Sequence, residues 1–124
     1  EADGGTRTAS ITGAFVALVD ALHVWRTEFL EKPAVLRDSV AAVSVGVVDG
    51  KHLLDLDYSE DVAAEVDFNL VMTGSGQFIE VQGTGEGSTF TQRQLDDMLR
   101  LGKLGIERLT ALQRHTLGTH WQNW

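Results

Sequence analysis

Apolar side chains recur at every second residue from Val40 to Val48 and again from Val66 to Thr73, each run bounded by turn residues. A period of two fixes β-strands, and strands of this kind must share a sheet to be stable. In the first run Val43, Val45 and Val47 fall on one face, while Ala42, Ser44 and Gly46 fall on the other. A face of such small side chains lets a helix lie close. In the second run Val66, Phe68, Leu70 and Met72 share a face, and Asp67 and Asn69 project side by side on the other. Asp49-Gly50 is a two-residue hairpin signal and predicts a returning strand over 51–55. Gly74-Ser75-Gly76 turns the chain into a further strand over 77–82, which the glycines at 83, 85 and 87 end.

Helical periods flank these strands. Ile11, Phe15, Leu18, Leu22, Trp25 and Phe29 predict an amphipathic helix over 8–30, with Trp25 in the core and Thr12, His23, Arg26 and Glu28 on the polar face. Pro33 marks its end or the loop that follows. Thr91, three residues before Gln94, reads as a capping box that opens a second helix. That helix carries Leu95, Met98, Leu99, Ile106, Leu109 and Leu112 on one side and reaches about residue 116. Residues 115–124 show no period and read as a loose tail. Helix, three or four strands and helix predict one α+β domain over 1–124, a mixed sheet with both helices packed on one face.

Composition narrows the function. The chain has 124 residues, 43% of them hydrophobic, and a net charge of −8, which excludes disorder and coiled coil. There is no cysteine, so a disulfide framework, a thiolate zinc site and a cysteine nucleophile are excluded. No apolar run is expected to span a bilayer and no leader pattern precedes residue 8, so the reading is a cytoplasmic protein without membrane association. The chain starts at Glu1 without an initiator Met, as a processed product or half of something larger would.

Two constellations could carry chemistry. Gly5, Thr6 and Arg7 stand directly before the first helix, where unpaired amides and the positive end of the dipole suit an anion. Arg7 adds a guanidinium fork for phosphate oxygens; a simple N-cap with a solvated Arg7 is the alternative. The lysine of a P-loop is absent. Residues 55–67 hold six acids and no Lys or Arg. Of these, Asp61, on a loop or short turn, and Asp67, at a strand start, could converge on one Mg2+, which takes one or two carboxylates and keeps waters for substrate phosphates. Glu60 and Glu65 read as a solvated acidic loop. The four histidines have no zinc spacing and read as structural or solvated, and Trp121 and Trp124 could pack against a partner or hang loose.

GGTRTASITGA (4–14), AAVSVG (41–46), LLDLDYSEDVAAEVDFNLVMTG (53–74) and EVQGTGEG (80–87) together resemble the C-terminal half of bacterial ribonuclease PH. The resemblance covers about residues 2–112. It implies a ribonuclease PH / ribosomal protein S5 domain 2-like fold, of which this is the C-terminal half. It also implies a phosphate-dependent 3′ to 5′ exoribonuclease, a tRNA nucleotidyltransferase that trims the 3′ end of tRNA precursors and releases nucleoside diphosphates. By position its phosphate-binding residues fall on Gly5, Thr6 and Arg7, with inorganic phosphate as co-substrate. Its catalytic, metal-holding aspartates fall on Asp61 and Asp67; one of them, Asp61 by preference, could instead be a general acid. The implied partners are RNA, the missing N-terminal half of the domain, and further copies in a homo-hexamer built as a trimer of dimers. An acidic chain is a poor RNA binder by itself, so the basic RNA path is expected from the missing half and neighbouring subunits.

Two other classes compete. A non-catalytic subunit of a related RNA-processing ring would commonly lack the acidic pair or the arginine, yet Arg7, Asp61 and Asp67 are all present. A metal-dependent hydrolase using water would need no phosphate site.

Overall fold

A computed structural model describes residues 3–25 and 35–122. Along the chain come α1 (Thr6–Trp25), β1 (Val40–Val48), β2 (Lys51–Leu54), α2 (Tyr58–Ala63), β3 (Val66–Thr73), β4 (Phe78–Gly85), α3 (Gln92–Leu117) and a 3-10 turn (Gly118–Gln122). The strands form one sheet in the order β2-β1-β3-β4. The α+β class is as expected, but the sheet is antiparallel at all three pairings rather than mixed. β2 and β3 run in the same direction, and β1 lies between them.

The β1–β2 hairpin follows its turn chemistry. Asp49 and Gly50 both have positive φ, 49° and 71°, and Val48 pairs with Lys51. This is the primed two-residue turn whose twist matches the strands. β4 runs through Gly83 and Gly85 instead of ending before them. A Cβ at Gly83 would strike the Phe68 ring, and one at Gly85 the Ser88 backbone. These glycines permit close approach within the strand rather than ending it.

The core lies on the valine face. Ala41, Val43, Val45, Val47, Val66, Phe68, Leu70 and Met72 pack with Met98 and Ile106 of α3. α3 comes in close through Gly102 and Gly105, where a Cβ would meet Leu70 and Leu54 side chains. Both are buried. Its capping box forms as read from the sequence, Thr91 Oγ1 accepting from the Gln94 amide and Gln94 Oε1 from the Thr91 amide. Leu112 is 59% exposed and not part of the core stripe. By that point α3 has reached the Val40 end of β1, and its last turns bring Gln113 and Leu117 toward α1.

α1 lies on the opposite side, against the small residues of β1, so the expectation of two helices on one face is corrected. Its buried residues are Thr8, Phe15 and Val19, a stripe rotated from the predicted one. Trp25 is 65% exposed and Leu18 is exposed too, because the helix docks by its threonine-bearing side on the edge of β1. Phe29, Arg26, Glu28 and Pro33 lie outside the described residues. α1 is also long and apolar enough to cross a membrane by length and composition, which amends the expectation that no run reaches that length. Burial of Phe15 and Val19 with Leu117 of α3 accounts for part of that apolar character.

Residues 118–122 continue from α3 and meet α1. Trp121 packs edge-on to Phe15 with centroids 6.1 Å apart, and Arg114 lies over its ring at 5.1 Å. His120 Nδ1 is 3.0 Å from Asp20 Oδ1 and its ring stacks on His23 at 3.7 Å. Trp124 lies outside the described residues.

Candidate active site

The face of β1 that bears Ala42, Ser44 and Gly46 continues across β3 and β4. Register places Gly46 beside Asp67, Ser44 beside Asn69 and Ala42 beside Val71. On the far side Asp67 pairs with Thr84, Asn69 with Gln82 and Val71 with Glu80. Since paired residues share a face, Asp67, Asn69, Gln82, Thr84 and Glu80 form one polar strip beside α1.

Gly4 and Gly5 carry the chain into α1 with φ of 126° and 55°. A Cβ on Gly4 would lie 2.6 Å from the Leu56 carbonyl oxygen, so only glycine lets this turn rest on the segment that leads into α2. The Cβ position of Gly5 is 3.8 Å from Asp55 Oδ1 and 4.0 Å from Ser44 Oγ. Gly5 therefore sits over the β1 residue two places from Gly46, the neighbour of Asp67. Strand spacing puts Gly5 and Asp67 on the order of 10 Å apart. Thr6, Arg7 and Thr8 are the first residues of α1, and their amides have no partner within the helix. Thr8 Oγ1 donates to the Gly5 carbonyl at 2.9 Å, and the Ala9 amide to the same oxygen at 2.8 Å.

Arg7 does not stand free in solvent. Its Nη2 donates to both oxygens of Glu80 at 2.7 Å, a contact between residues 73 apart in sequence. The hydrogen bond and the charge of Glu80 raise the guanidinium pKa further. The pair spans from the start of α1 to β4, over the polar strip.

Asp61 lies in α2, a short helix that the acidic run concealed. Asp57 caps it, accepting from the Glu60 amide at 2.9 Å, and Glu60 Oε2 accepts from the Asp57 amide at 3.0 Å. Glu60 thus has a structural partner and is not merely solvated. The amide hydrogen bonds from Glu60 and the Ser59 hydroxyl hold the Asp57 carboxyl below its ordinary range. Asp67 shows the opposite: burial, then the charges of Asp61 and Glu86, raise its carboxyl above the usual value. Glu86 is fixed nearby, its amide donating to the Glu65 carbonyl at 2.9 Å, while the Glu65 amide donates to Val47 at 2.7 Å.

Asp61 and Asp67 are therefore close enough to feel one another, with Glu86 as a third charge. Among the described residues no group of three or more Asp, Glu or His side chains gathers at metal-binding range. The donor set suits a hard cation that takes few protein ligands and keeps its waters, since a cation would relieve the repulsion that raises Asp67. Two features escaped the sequence reading. Glu80 pairs across the sheet, and only the alternation of Glu80, Gln82 and Thr84 hinted that they share Asp67's face. The Asp57–Glu60 box has the capping spacing, but it is hidden in a run of like charges.

A family model described as 3′ exoribonuclease family, domain 2, matches residues 38–105. A curated relative, Ribonuclease PH of Syntrophomonas wolfei, is 52% identical over 118 residues, covering 95% of this chain and 49% of its own length. Rice (Oryza sativa) Rrp46, a crystal structure, superposes with a TM-score of 0.72 at 22% identity, covering 94% of this chain and 49% of that one. The chain thus spans about half the length of the relatives it matches. The family model, which matches more than half of the chain, shows that the chain belongs to the ribonuclease PH family of 3′ exoribonucleases.

Proposed function

We propose that this chain is the C-terminal half of a phosphate-dependent 3′ to 5′ exoribonuclease that removes terminal nucleotides of RNA, tRNA precursors among them, as nucleoside diphosphates. The observation that supports this best is that the start of α1 and the Asp61–Asp67 pair stand at the same end of the same sheet face. The presence of Arg7 together with both aspartates favours the enzyme over a non-catalytic ring subunit.

Inorganic phosphate would sit on the amides of Thr6 to Thr8 with Arg7 as its side-chain donor. Held there, one phosphate oxygen faces the last phosphodiester of RNA and forms a new P–O bond as the bond to the 3′ oxygen of the preceding nucleotide breaks. The products are a nucleoside diphosphate and an RNA shorter by one. Asp61 and Asp67 would hold Mg2+, which supplies charge neutralisation for the phosphoryl group and leaving oxygen. The leaving 3′ oxygen needs a proton, and as the alternative to holding the cation one of the two aspartates, Asp61 by preference, would supply it as a general acid.

The other half of the domain, an RNA path and ring assembly as three dimers belong to the same proposal, in a cytoplasmic setting. Outward-facing apolar residues on α1 support a missing half, as does β4, an edge strand with Phe78, Ile79 and Val81 exposed. The test is a 3′-labelled tRNA precursor given to the completed domain with Mg2+, with and without phosphate. Diphosphate products that appear only with phosphate, and are lost in Arg7→Ala and Asp67→Asn, are expected. Monophosphate released without phosphate would mean a hydrolase.

A further inference from the structure

Arg7, the side-chain cation that α1 carries in its first turn, is held by a carboxylate. Glu80 takes both of its contacts from one guanidinium nitrogen, Nη2, at 2.7 Å each. Among the described residues its carboxylate has no other hydrogen-bond partner. It reaches Arg7 from β4, where the register sets it beside Val71 on the strip that leads to Asp67. The pair is solvent-accessible on both sides, with side chains 53% and 37% exposed. An exposed pair of this kind is weak and exchanges partners readily.

A carboxylate and a phosphate oxygen compete for the same donor geometry on a guanidinium. We propose that Glu80 is an anionic placeholder for inorganic phosphate: it holds Arg7 while the site is empty and gives it up when phosphate arrives, so that it sets the affinity of the site. This rests on the reading of Gly5 to Arg7 as a phosphate site and adds to it the residue that opposes binding. Two effects act in the same direction. Arg7 held on Glu80 is unavailable, so the apparent dissociation constant rises by the reciprocal of the free fraction. The carboxylate also repels an entering anion at close range, an effect that salt weakens. Glu80 acts through Arg7 and touches no reacting atom, which makes it a positioning residue.

The experiment is titration of the protein with inorganic phosphate, followed by the amide resonances of Thr6 to Thr8, in wild type, Glu80→Gln, Glu80→Asp and Arg7→Gln. Glu80→Gln keeps shape and removes charge, and it should bind phosphate about fivefold more tightly. Glu80→Asp retains the charge and should stay near wild type. Arg7→Gln should bind much more weakly than any of them. A purely structural Glu80 would move thermal stability and leave both Glu80 variants at the wild-type phosphate affinity. Arg7-dependent binding that Glu80→Gln leaves equal or weakens would overturn the placeholder and leave the phosphate site standing. Binding that ignores Arg7, or no binding in any of the four, would overturn the site reading and the placeholder with it.

Discussion

The hydroxyl of Thr12 in α1 stands where a neighbouring strand would otherwise pair with Ala42 of β1. It accepts from the Ala42 amide at 3.0 Å and lies 3.2 Å from the Ala42 carbonyl, to which it donates. β2 pairs only with the 45–48 end of β1, so the even-numbered residues before it present unpaired backbone. Ser44 is served by the Asp55 amide and Val40 by the side-chain amide of Gln113. Gln113 also donates to the Thr12 carbonyl. α1 and α3 therefore close one edge of the sheet from opposite faces. Thr12→Val keeps the volume and removes both bonds, leaving buried backbone groups unpaired. A loss of about 1–3 kcal/mol is expected in chemical denaturation.

Glycine plays opposite parts in the two long helices. At Gly102 a new methyl would collide with Leu70, whereas Gly13 has nothing within 4 Å of its Cβ position. Gly102→Ala should therefore destabilise by about 1–3 kcal/mol through overpacking. Gly13→Ala should stabilise by roughly 0.5–1 kcal/mol through the unfolded chain. Thermal melts of the two variants should move in opposite directions.

β1, β2 and β3 were legible in the sequence to within a residue because alternation and turn chemistry are local, whereas β4 was read three residues short because its glycines look like a stop. β1 and β3 were read at their observed bounds, and the small face of Ala42, Ser44 and Gly46 correctly announced a closely packed helix. The rotation of α1 was not legible. It has apolar residues on both sides, and what decides between them is the hydrogen bonding of Thr12 to a strand edge 30 residues away. α2 was missed for a related reason, since its capping acids look like a repelling run until Asp57 and Glu60 are seen to satisfy each other's amides. At the site, the turn at Gly5 and the closeness of Asp61 to Asp67 followed from spacing and resemblance. Glu80 did not, because an ion pair over 73 residues leaves no local signal.

Asp67 carries a stability cost with a definite sign. Its folded-state carboxyl is raised by burial, Asp61 and Glu86, so the folded protein binds a proton more readily than the unfolded chain. The cost is absent below the unfolded value of 3.8 and appears as pH rises from there through the raised folded value. Asp67→Asn should thus raise the melting temperature at neutral pH and flatten its fall across that window. Added Mg2+ should raise the wild-type melting temperature at pH 7 and leave Asp67→Asn unmoved. An equal response in both proteins would argue against this aspartate as the cation's ligand.

The outer side of α1 bears Ile11, Ala14, Leu18, Ala21 and Trp25, spaced alternately by three and four residues. Leu18 and Trp25 are 46% and 65% exposed. That spacing is the seam of a helix packed on another helix, and the side of α1 bound to β1 is a different one. Small alanines between large residues let a partner helix approach closely. The relatives are about twice as long as this chain, so their remaining half is the occupant expected here. Co-expression with that half should yield a stable complex in which Trp25 emission shifts to the blue. Leu18→Asp would place a charge on the seam and should weaken the complex by at least about tenfold, while the isolated chain keeps its melting temperature because Leu18 is exposed. If Leu18→Asp leaves the complex intact, the apolar seam is not where the two halves meet, and the edge of β4, with Phe78 and Ile79 outward, becomes the surface to probe.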